Sequence, residues 1–357
     1  MERAEGPINV ADYEGLAREA LDEASFGYFA GGAGDERTVA YNLQAFDDWR
    51  LRPRVLVDVG SVSTSSTVLG HQVSMPILVA PVAHQRQAHP DGELAVASAA
   101  AAAGTIMCVP TFAMAPPADV AAVAPDATRW YQLYWHPDRG VTKSILDQAR
   151  EAGYEAIVFT VDLPRLGGRE RDARTGFKLD PDYRMGVYGS EFGDVGTLTP
   201  ATAAELVDPR LTWRDLEWLH ETADLPVIVK GVLTAEDAEL AASHGCAAVV
   251  VSNHGGRQLD RAVASLDALP EVVEAVGGRV EVLMDGGVRR GVDVAIALAL
   301  GARAVMVGRP VVWALAAKGE EGVSHVLELL RAELELALAL LGCASPEQLG
   351  RAHLARA

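Results

Sequence analysis

The stretch AAVVVSNHGGRQLD, residues 247–260, is an apolar run that ends abruptly in polar residues and glycines. Every residue from 247 to 251 is apolar, which is typical of a parallel strand that is covered on both faces. His254 follows the run, Gly255 and Gly256 allow a sharp turn or close approach to a ligand, and Arg257 comes three residues after the histidine. This strand end is a candidate site with a base and an anion-binding arginine, although a histidine in such a position is more often structural.

The run belongs to a repeating pattern of short apolar segments, polar or glycine-bearing ends and alanine-rich amphipathic spacers. Eight such segments are predicted strands: 77–80, 105–109, 129–134, 156–161, 227–232, 247–252, 280–284 and 304–307. Eight strand-helix units predict an α/β fold, the (β/α)8 TIM barrel. The alternative, an open doubly wound sheet, would place a glycine-rich turn after its first strand, where this chain has Pro81, Val82 and Ala83.

The spacing also predicts how the rest of the chain is organised. We expect one domain over 1–357, with N-terminal helices and an approach segment (1–75), the barrel (76–320), a lid loop (163–211) and a C-terminal helix (322–341). Apolar residues at helical spacing over 11–29 place Tyr28 at the end of a helix, before a cluster of glycines. At least one arginine near the start of the long loop should face an anion: Arg165, Arg169, Arg171 or Arg174.

Composition excludes several classes of function. The chain carries 31 basic and 49 acidic residues, a net charge of −18, which argues against nucleic-acid and membrane partners. Cys108, Cys246 and Cys343 are far apart and show no metal-ligand spacing, so we expect no metal site and a reducing compartment. The first residues lack the apolar region of a signal peptide, which favours a soluble, cytoplasmic protein.

In a barrel of this kind the chemistry lies at the carboxyl ends of the strands. The segments DGGVR (285–289) and GR (308–309) end the last two strands and together predict a phosphate-binding site. Lys230 ends an apolar strand and needs an anionic partner, either a cofactor that becomes negative on reduction or a carboxylate such as Asp285. Three further strand-end residues could hydrogen-bond a flat heterocycle: Gln132, Thr160 and Ser252.

Long motifs extend this pattern over nearly the whole chain. They are GYFAGGAGDE (27–36), RPRVLVDV (52–59), APVAHQ (80–85), AHPDGE (88–93), QLYW (132–135), TVDLPRLGGRE (160–170), VKGVLTAEDA (229–238), SNHGGRQLD (252–260), DGGVRRG (285–291) and GRPVVWALA (308–316). On these motifs the chain resembles the FMN-dependent 2-hydroxy-acid oxidase and dehydrogenase family, of which glycolate oxidase is the best-known type.

The resemblance assigns roles to individual residues. It implies that His254 is the base, that Asp162 is its carboxylate partner, and that Lys230 stabilises reduced flavin. Four residues would surround the substrate: Tyr28, Tyr134, Arg169 and Arg257. The FMN would be held by Pro81, Val82, Ala83, Pro110, Gln132, Thr160, Ser252, Asp285, Gly286, Gly287, Arg289, Gly308 and Arg309. Val82 and Pro110 depart from the family pattern, which usually has threonine and serine there.

The implied activity is oxidation of an (S)-2-hydroxy acid to the 2-oxo acid, with dioxygen as acceptor and hydrogen peroxide as product. Dehydrogenase or monooxygenase activity on the same substrates, an FMN-dependent isomerase, and a barrel that only binds flavin are the alternatives. Phe112 and Leu166 would narrow an apolar wall, and Val82 and His84 are atypical, so mandelate, lactate and glycolate all stay open. A homo-oligomer, tetramer or octamer, is also expected.

Overall fold

The computed structural model describes residues 6–179, 184–188 and 206–357, and its N-terminal segment is helical. The helices are α1 (Val10–Ala20), α2 (Glu23–Ala30) and α3 (Arg37–Gln44). The helical segment predicted over 11–29 is thus divided, because the Asp22 carboxylate caps α2 by accepting a hydrogen bond from the Ser25 backbone N–H at 2.9 Å. Tyr28 lies in the last turn of α2, as predicted.

A short hairpin leads from this segment into the barrel. After strand β1 (Trp49–Leu51), the antiparallel strands β2 (Ser66–Val68) and β3 (His71–Val73) place Val68 and Val73 in one buried cluster with the side chains of the barrel interior. The Leu69 backbone N–H donates to Glu281 Oε2 at 3.0 Å. The hairpin therefore closes the amino-terminal end of the barrel with apolar side chains.

The eight predicted strands form a closed parallel barrel. They are β4 (Ile77–Val79), β5 (Met107–Val109), β6 (Arg129–Leu133), β7 (Ile157–Thr160), β8 (Val227–Val232), β9 (Ala248–Val251), β10 (Glu281–Asp285) and β11 (Ala304–Val307). The α/β TIM-barrel prediction is confirmed, with strand ends shifted by up to two residues, as where β5 begins at Met107 instead of residue 105. The final strand β12 (Leu354–Arg356) lies outside the barrel and pairs antiparallel with β1.

Further helices follow the barrel strands along the chain. They are α4 (Gly92–Ala102), α5 (Pro117–Val123), α6 (Arg139–Glu151), α7 (Glu170–Thr175), α8 (Asp215–Ala223), α9 (Ala235–Ser243), α10 (Ser265–Val276), α11 (Gly291–Ala299) and α12 (Arg309–Leu341). The helix predicted over 322–341 is the second part of α12, which starts directly after β11 and is kinked at Lys318 and Gly319.

The long connection after β7 is described only in part. Residues 184–188 lie against the loop that follows β5, where the Gly186 backbone N–H donates to Ala113 O at 2.8 Å. The lid predicted over 163–211 includes 180–183 and 189–205, which lie outside the described residues. The lid and the domain boundaries stay predictions.

The barrel strands bury two distinct faces. Outward residues such as Val249 and Val251 pack on the helices, whereas Ala248 and Val250 join an apolar cluster inside the barrel. Near the carboxyl ends of five strands, the position two residues after an apolar inward-facing side chain holds a polar one. These polar residues are all buried: Gln132, Thr160, Lys230, Ser252 and Asp285. This polar layer is the floor of the candidate site.

Candidate active site

A cleft opens at the carboxyl ends of the strands, above the polar layer. Most predicted site residues line it: Tyr28, Pro81, Val82, Ala83, Pro110, Gln132, Tyr134, Arg169, Lys230, His254, Arg257, Asp285, Gly286, Gly287, Arg289, Gly308 and Arg309. Asp162, Thr160 and Ser252 do not line the cleft. Asp162 contacts the far side of the His254 ring, and the other two lie in the floor.

His254 has the geometry of a general base. Its Nδ1 lies 2.8 Å from Asp162 Oδ1, and its Nε2 lies 3.4 Å from the Tyr134 hydroxyl. Burial lowers the pKa of His254 and outweighs the Asp162 charge, which raises it. The ring is therefore neutral at pH 7, with Nδ1–H directed at the carboxylate and Nε2 available to accept a proton.

Asp162 stays ionised beside this ring. Burial raises its pKa, but the interaction with His254, including the hydrogen bond from its ring, and the charge of Lys230 outweigh burial, so the net shift of the Asp162 pKa is downward. Asp162 Oδ2 is buried without a hydrogen-bond partner among the described residues. A carboxylate held in this way stabilises an imidazolium that forms when the ring takes up a proton.

The base lies on a left-handed turn. His254, Gly255 and Gly256 have φ values of 58°, 60° and 78°. Such a conformation costs a residue other than glycine about 1–3 kcal/mol, so the surrounding structure must impose it on His254. The φ of Gly255 favours glycine at this position, and a Cβ there would also lie 2.9 Å from Arg309 Nη1.

Arg257 is fixed from the N-terminal segment. Its Nη1 donates to the backbone oxygens of Tyr28 and Gly31, and its guanidinium lies 4.7 Å from the centre of the Tyr28 ring. The ring of Phe177 stacks on that of Tyr28, with centroids 4.3 Å apart. The remaining donors of Arg257 can therefore meet a carboxylate in a fixed orientation.

Of the four arginines predicted near the anion, Arg169 alone lines the cleft. Burial and the charge of Arg257 lower the pKa of Arg169 to about 10. Its Nε is buried without a hydrogen-bond partner in the described chain. Arg171 instead pairs with Glu36, and Arg174 pairs with Glu170 on the surface. Two half-buried cations and an unpaired donor favour binding of an anion between Arg169 and Arg257.

The floor combines an ion pair with unsatisfied polar atoms. Lys230 Nζ lies 2.9 Å from Asp285 Oδ2 and donates to Ser252 Oγ at 3.0 Å, so the ion pair named as the alternative for Lys230 is present. Burial lowers the Lys230 pKa, but the charges of Asp285 and Asp162 raise it more, and the ammonium stays charged. Three buried floor atoms have no hydrogen-bond partner within the described ranges: Gln132 Nε2, Thr160 Oγ1 and Asp285 Oδ1.

Two further arginines form a cationic end of the cleft. Arg309 donates to Phe29 O at 3.1 Å and Gly255 O at 2.8 Å, and Arg289 lies 4.8 Å from the ring centre of Trp313. Burial, followed by the charges of other arginines, lowers the pKa of Arg309 to about 9. Burial also lowers the pKa of Arg289 to about 10.

Two glycines pack closely against neighbouring residues beside these cations. A Cβ at Gly287, where φ is 84°, would overlap the backbone oxygen of Asn42, and a Cβ at Gly308 would lie 3.2 Å from Val82 Cγ2. A cationic end, glycine-bearing strand ends and a floor of unsatisfied polar atoms fit a phosphorylated ligand with a flat polar ring, such as FMN.

Comparison with known proteins agrees with this fit. A sequence profile described as FMN-dependent dehydrogenase matches residues 17–356. The chain belongs to this family. Its cofactor is therefore FMN, and the predicted membership among FMN-dependent 2-hydroxy-acid oxidoreductases is confirmed.

Curated relatives are similar over nearly their whole length. L-lactate oxidase of Nostoc sp. is 47% identical, covering 98% of both chains. 2-Hydroxyacid oxidase 1 of Homo sapiens is 48% identical, covering 94% of this chain and 93% of its own. Glycolate oxidase of Spinacia oleracea is 47% identical, covering 97% and 95%.

Solved structures share the fold. A crystal structure of mandelate oxidase superposes with a TM-score of 0.89 at 43% identity, covering 98% of each chain. The same enzyme with benzoyl-formic acid gives a TM-score of 0.88 at 42% identity and the same coverage.

The structure adds residues that the sequence analysis did not place at the site. Leu163 lines the cleft next to Asp162, and Phe177 packs on Tyr28. Leu163 comes three residues after the end of β7 and could have been found on that ground, whereas nothing in the sequence around Phe177 indicates its contact. The predicted wall residues Phe112 and Leu166 do line the cleft.

His84 also lies in this wall and has an unusual environment. It is buried in a left-handed conformation, with φ 63°, and its ring is parallel to that of Phe112 at 6.2 Å. Burial and the charges of Arg169 and Arg257 lower its pKa to about 3, so the ring is neutral. His84 therefore contributes an uncharged aromatic surface.

Proposed function

We propose that this enzyme oxidises an aryl (S)-2-hydroxy acid to the 2-oxo acid and passes the electrons to dioxygen, releasing hydrogen peroxide. The observation that carries the chemistry is the neutral base His254, backed by Asp162, in the same cleft as Arg169 and Arg257. The alternatives of an isomerase or a barrel that only binds flavin would not need this arrangement.

The side chains of the cleft divide the reaction between them. Arg257 and Arg169 bind the substrate carboxylate, and Tyr134 hydrogen-bonds the 2-hydroxyl near His254 Nε2. His254 accepts one proton from the substrate, and Asp162 stabilises the imidazolium that results. Tyr28 and the apolar side chains that line the cleft exclude water from the reacting carbon.

When bound, FMN would accept the two electrons and the second hydrogen that the substrate loses. Arg289, Arg309 and the glycine-bearing strand ends would hold the phosphate and ribityl chain, and Lys230 would balance negative charge on the ring. Ring and ribityl contacts would come from Pro81, Val82, Ala83, Pro110, Gln132, Thr160, Ser252, Asp285, Gly286, Gly287 and Gly308. Val82 and Pro110 lack hydroxyl groups, so at these two positions we expect apolar or backbone contact.

The preference for an aryl substrate rests on the apolar wall. Phe112 lies 5.1 Å from the ring of Tyr134 and is parallel to His84, and Leu163 and Leu166 line the same cleft. Burying a phenyl group in such a wall is worth about 1.5–3 kcal/mol, or roughly a 10- to 100-fold gain in kcat/KM. Mandelate oxidase, a solved structural neighbour, is named for an aryl substrate of this kind.

The test is to reduce the enzyme anaerobically with (S)-mandelate, (R)-mandelate, (S)-lactate and glycolate, then admit air and measure peroxide and product. We expect (S)-mandelate to bleach the flavin fastest and peroxide to form stoichiometrically. Phe112→Ala should reduce the advantage of mandelate over lactate while leaving lactate oxidation nearly unchanged. A faster reaction with lactate or glycolate would contradict the aryl assignment.

The same experiment separates the possible electron acceptors. Reoxidation that takes minutes, with rapid turnover only on an artificial acceptor, would identify a dehydrogenase. A decarboxylated acid without free peroxide would identify a monooxygenase. No bleaching by any 2-hydroxy acid would overturn the proposed function.

We also infer that the protein is a cytoplasmic homo-oligomer, a tetramer or octamer. No helix in the described ranges is long and apolar enough to cross a membrane. Val55 and Leu56 are exposed, and so is Leu340 near the end of α12. The loop that carries Val55 and Leu56 is joined to the end of α12 by a hydrogen bond from the Arg54 backbone N–H to Leu341 O at 3.2 Å. An apolar patch of this kind favours self-association. Light scattering tests it, and Leu56→Asp should lower the measured mass.

A further inference from the structure

The conformation of the proposed base depends on residues that do not line the cleft. His254 occupies the left-handed region together with Gly255 and Gly256. Rotating the His254 backbone to an ordinary conformation would move its ring away from Asp162 and Tyr134. Some part of the structure must hold this turn, and Asn253 and Asn42 are placed to do so.

Asn253 closes the turn with its side-chain amide. Its Oδ1 accepts a hydrogen bond from the Gly256 backbone N–H at 3.0 Å, bridging directly over His254. Its Nδ2 donates to Val263 O at 3.0 Å. Asn253 is buried, so its amide must be fully hydrogen-bonded to remain in this orientation.

The remaining hydrogen bonds of Asn253 come from Asn42, on α3. Asn42 Nδ2 donates to Asn253 Oδ1 at 2.8 Å, and Asn253 Nδ2 donates to Asn42 Oδ1 at 2.7 Å. Asn42 Oδ1 also accepts from the Ser265 backbone N–H at 3.2 Å, and Asn42 is itself buried. The two amides thus form a reciprocal pair. In Asn253, both side-chain N–H groups donate a hydrogen bond and the side-chain oxygen accepts two.

Asn42 is held rigidly enough to serve as an anchor. Its backbone oxygen packs against Gly287, where a Cβ would overlap it. The N-terminal segment is further tied to the same loop where Thr38 N–H donates to Asp260 Oδ1 at 2.9 Å and Ala33 N–H donates to Gly256 O at 2.9 Å. A buried, fully satisfied polar pair of this kind specifies one arrangement of the groups it joins.

We propose that Asn42 is a positioning residue for His254: through its reciprocal amide pair with Asn253, it holds the 254–256 turn in the left-handed conformation that directs the ring at Asp162 and Tyr134. Asn42 acts only through Asn253 and does not contact the substrate. The inference rests on the proposed function, because it assumes that His254 is the base.

The experiment compares Asn42→Ala and Asn42→Asp with the wild-type holoenzyme. Asn42→Ala removes the whole pair, whereas Asn42→Asp keeps the acceptor for Asn253 and Ser265 but loses the donor to Asn253 Oδ1. We expect both variants to reduce flavin with (S)-mandelate about 10- to 100-fold more slowly, because small displacements of a reacting group cost rate of this order. The dissociation constants for FMN and substrate should change less than about threefold, since binding does not depend on the base.

Thr38→Val is the matched control. It removes the hydroxyl that donates to Asp260 Oδ1 at 3.2 Å and so loosens the same segment from the same loop without altering the amide pair. We expect it to lower the unfolding temperature while leaving the flavin-reduction rate within about twofold of wild type.

The outcomes distinguish the proposed function from the positioning role of Asn42. Failure of wild-type enzyme to be reduced by any 2-hydroxy acid would overturn the proposed function. Normal reduction of the wild type together with wild-type rates in Asn42→Ala or Asn42→Asp would overturn the positioning role. Equal loss of rate in Thr38→Val would also overturn it, because the effect would then come from general loosening of the N-terminal segment.

Discussion

Replacing Asp162 by asparagine separates the charge of this side chain from its shape. The oxygen of the introduced amide could still accept the hydrogen bond from His254 Nδ1, so the ring should keep its place. What the variant loses is the negative charge that stabilises the imidazolium after proton transfer. We therefore expect Asp162→Asn to retain FMN and substrate but to reduce flavin slowly.

The structure sets the size of this loss. Two unit charges 2.8 Å apart attract by roughly 6 kcal/mol at an effective dielectric constant of about 20. The retained hydrogen bond and the amide dipole recover part of this energy, which leaves a loss of about 3–4 kcal/mol. Flavin reduction should then slow by roughly 10²- to 10³-fold.

The pH dependence gives an independent check with a definite sign. Asp162 raises the pKa of His254, so its removal lowers that pKa further. The ring then stays neutral to lower pH, and the acid-side fall in the reduction rate should move to lower pH even though the maximum rate is reduced. Asp162→Glu, which keeps the charge but moves it, should be slower without this displacement.

Anaerobic stopped-flow bleaching with (S)-mandelate over a range of pH measures both effects. A reduction rate in Asp162→Asn close to that of wild type would show that the carboxylate does not stabilise the transition state. Movement of the acid-side fall to higher pH would contradict the assignment of His254 as the titrating base.

Four further substitutions test the other groups of the cleft. His254→Ala should keep FMN and slow flavin reduction by roughly 10²- to 10⁴-fold, and near-normal bleaching would mean that another group takes the proton. Arg257→Lys and Arg169→Lys should each raise KM by roughly 10- to 100-fold. The increase in KM should be larger for Arg257, because backbone oxygens fix its guanidinium. Equal rates on a 2-hydroxy acid and its amide would refute both roles. Lys230→Met leaves Asp285 charged and unpaired in the floor, so urea unfolding should show a loss of about 3–5 kcal/mol, and an unchanged midpoint would argue that the ion pair is not formed.

The barrel could be predicted because each strand is a short apolar run followed by a polar end, as at residues 247–252. The same runs do not show which side chains face the barrel interior. Val250 and Val251 look alike in sequence, but one faces the barrel interior and the other the helices. The polar layer follows from this alternation, since Ser252 lies two residues beyond inward-facing Val250.

Long-range contacts could not be predicted from local pattern. The resemblance paired Asp162 with His254, but only the structure shows the carboxylate at the Nδ1 edge of the ring instead of in the cleft. Asn42 carries no local signal, because a polar residue on a short helix is ordinarily solvated. Its role depends on a side chain more than two hundred positions away, which sequence periodicity does not report.

The pairing of β1 with β12 has a consequence for how the chain acquires activity during synthesis. Trp49 pairs with Arg356, the Tyr13 hydroxyl lies 2.7 Å from His325 Nδ1, and Asn42 meets Asn253. These three residues of the N-terminal segment therefore find these partners only after the chain has been made to residue 253 or beyond. Contacts so distant in sequence fold slowly and late. We expect the turn that carries the base to be among the last regions to become protected from hydrogen exchange, so that a nascent chain contains the barrel strands well before it can oxidise anything.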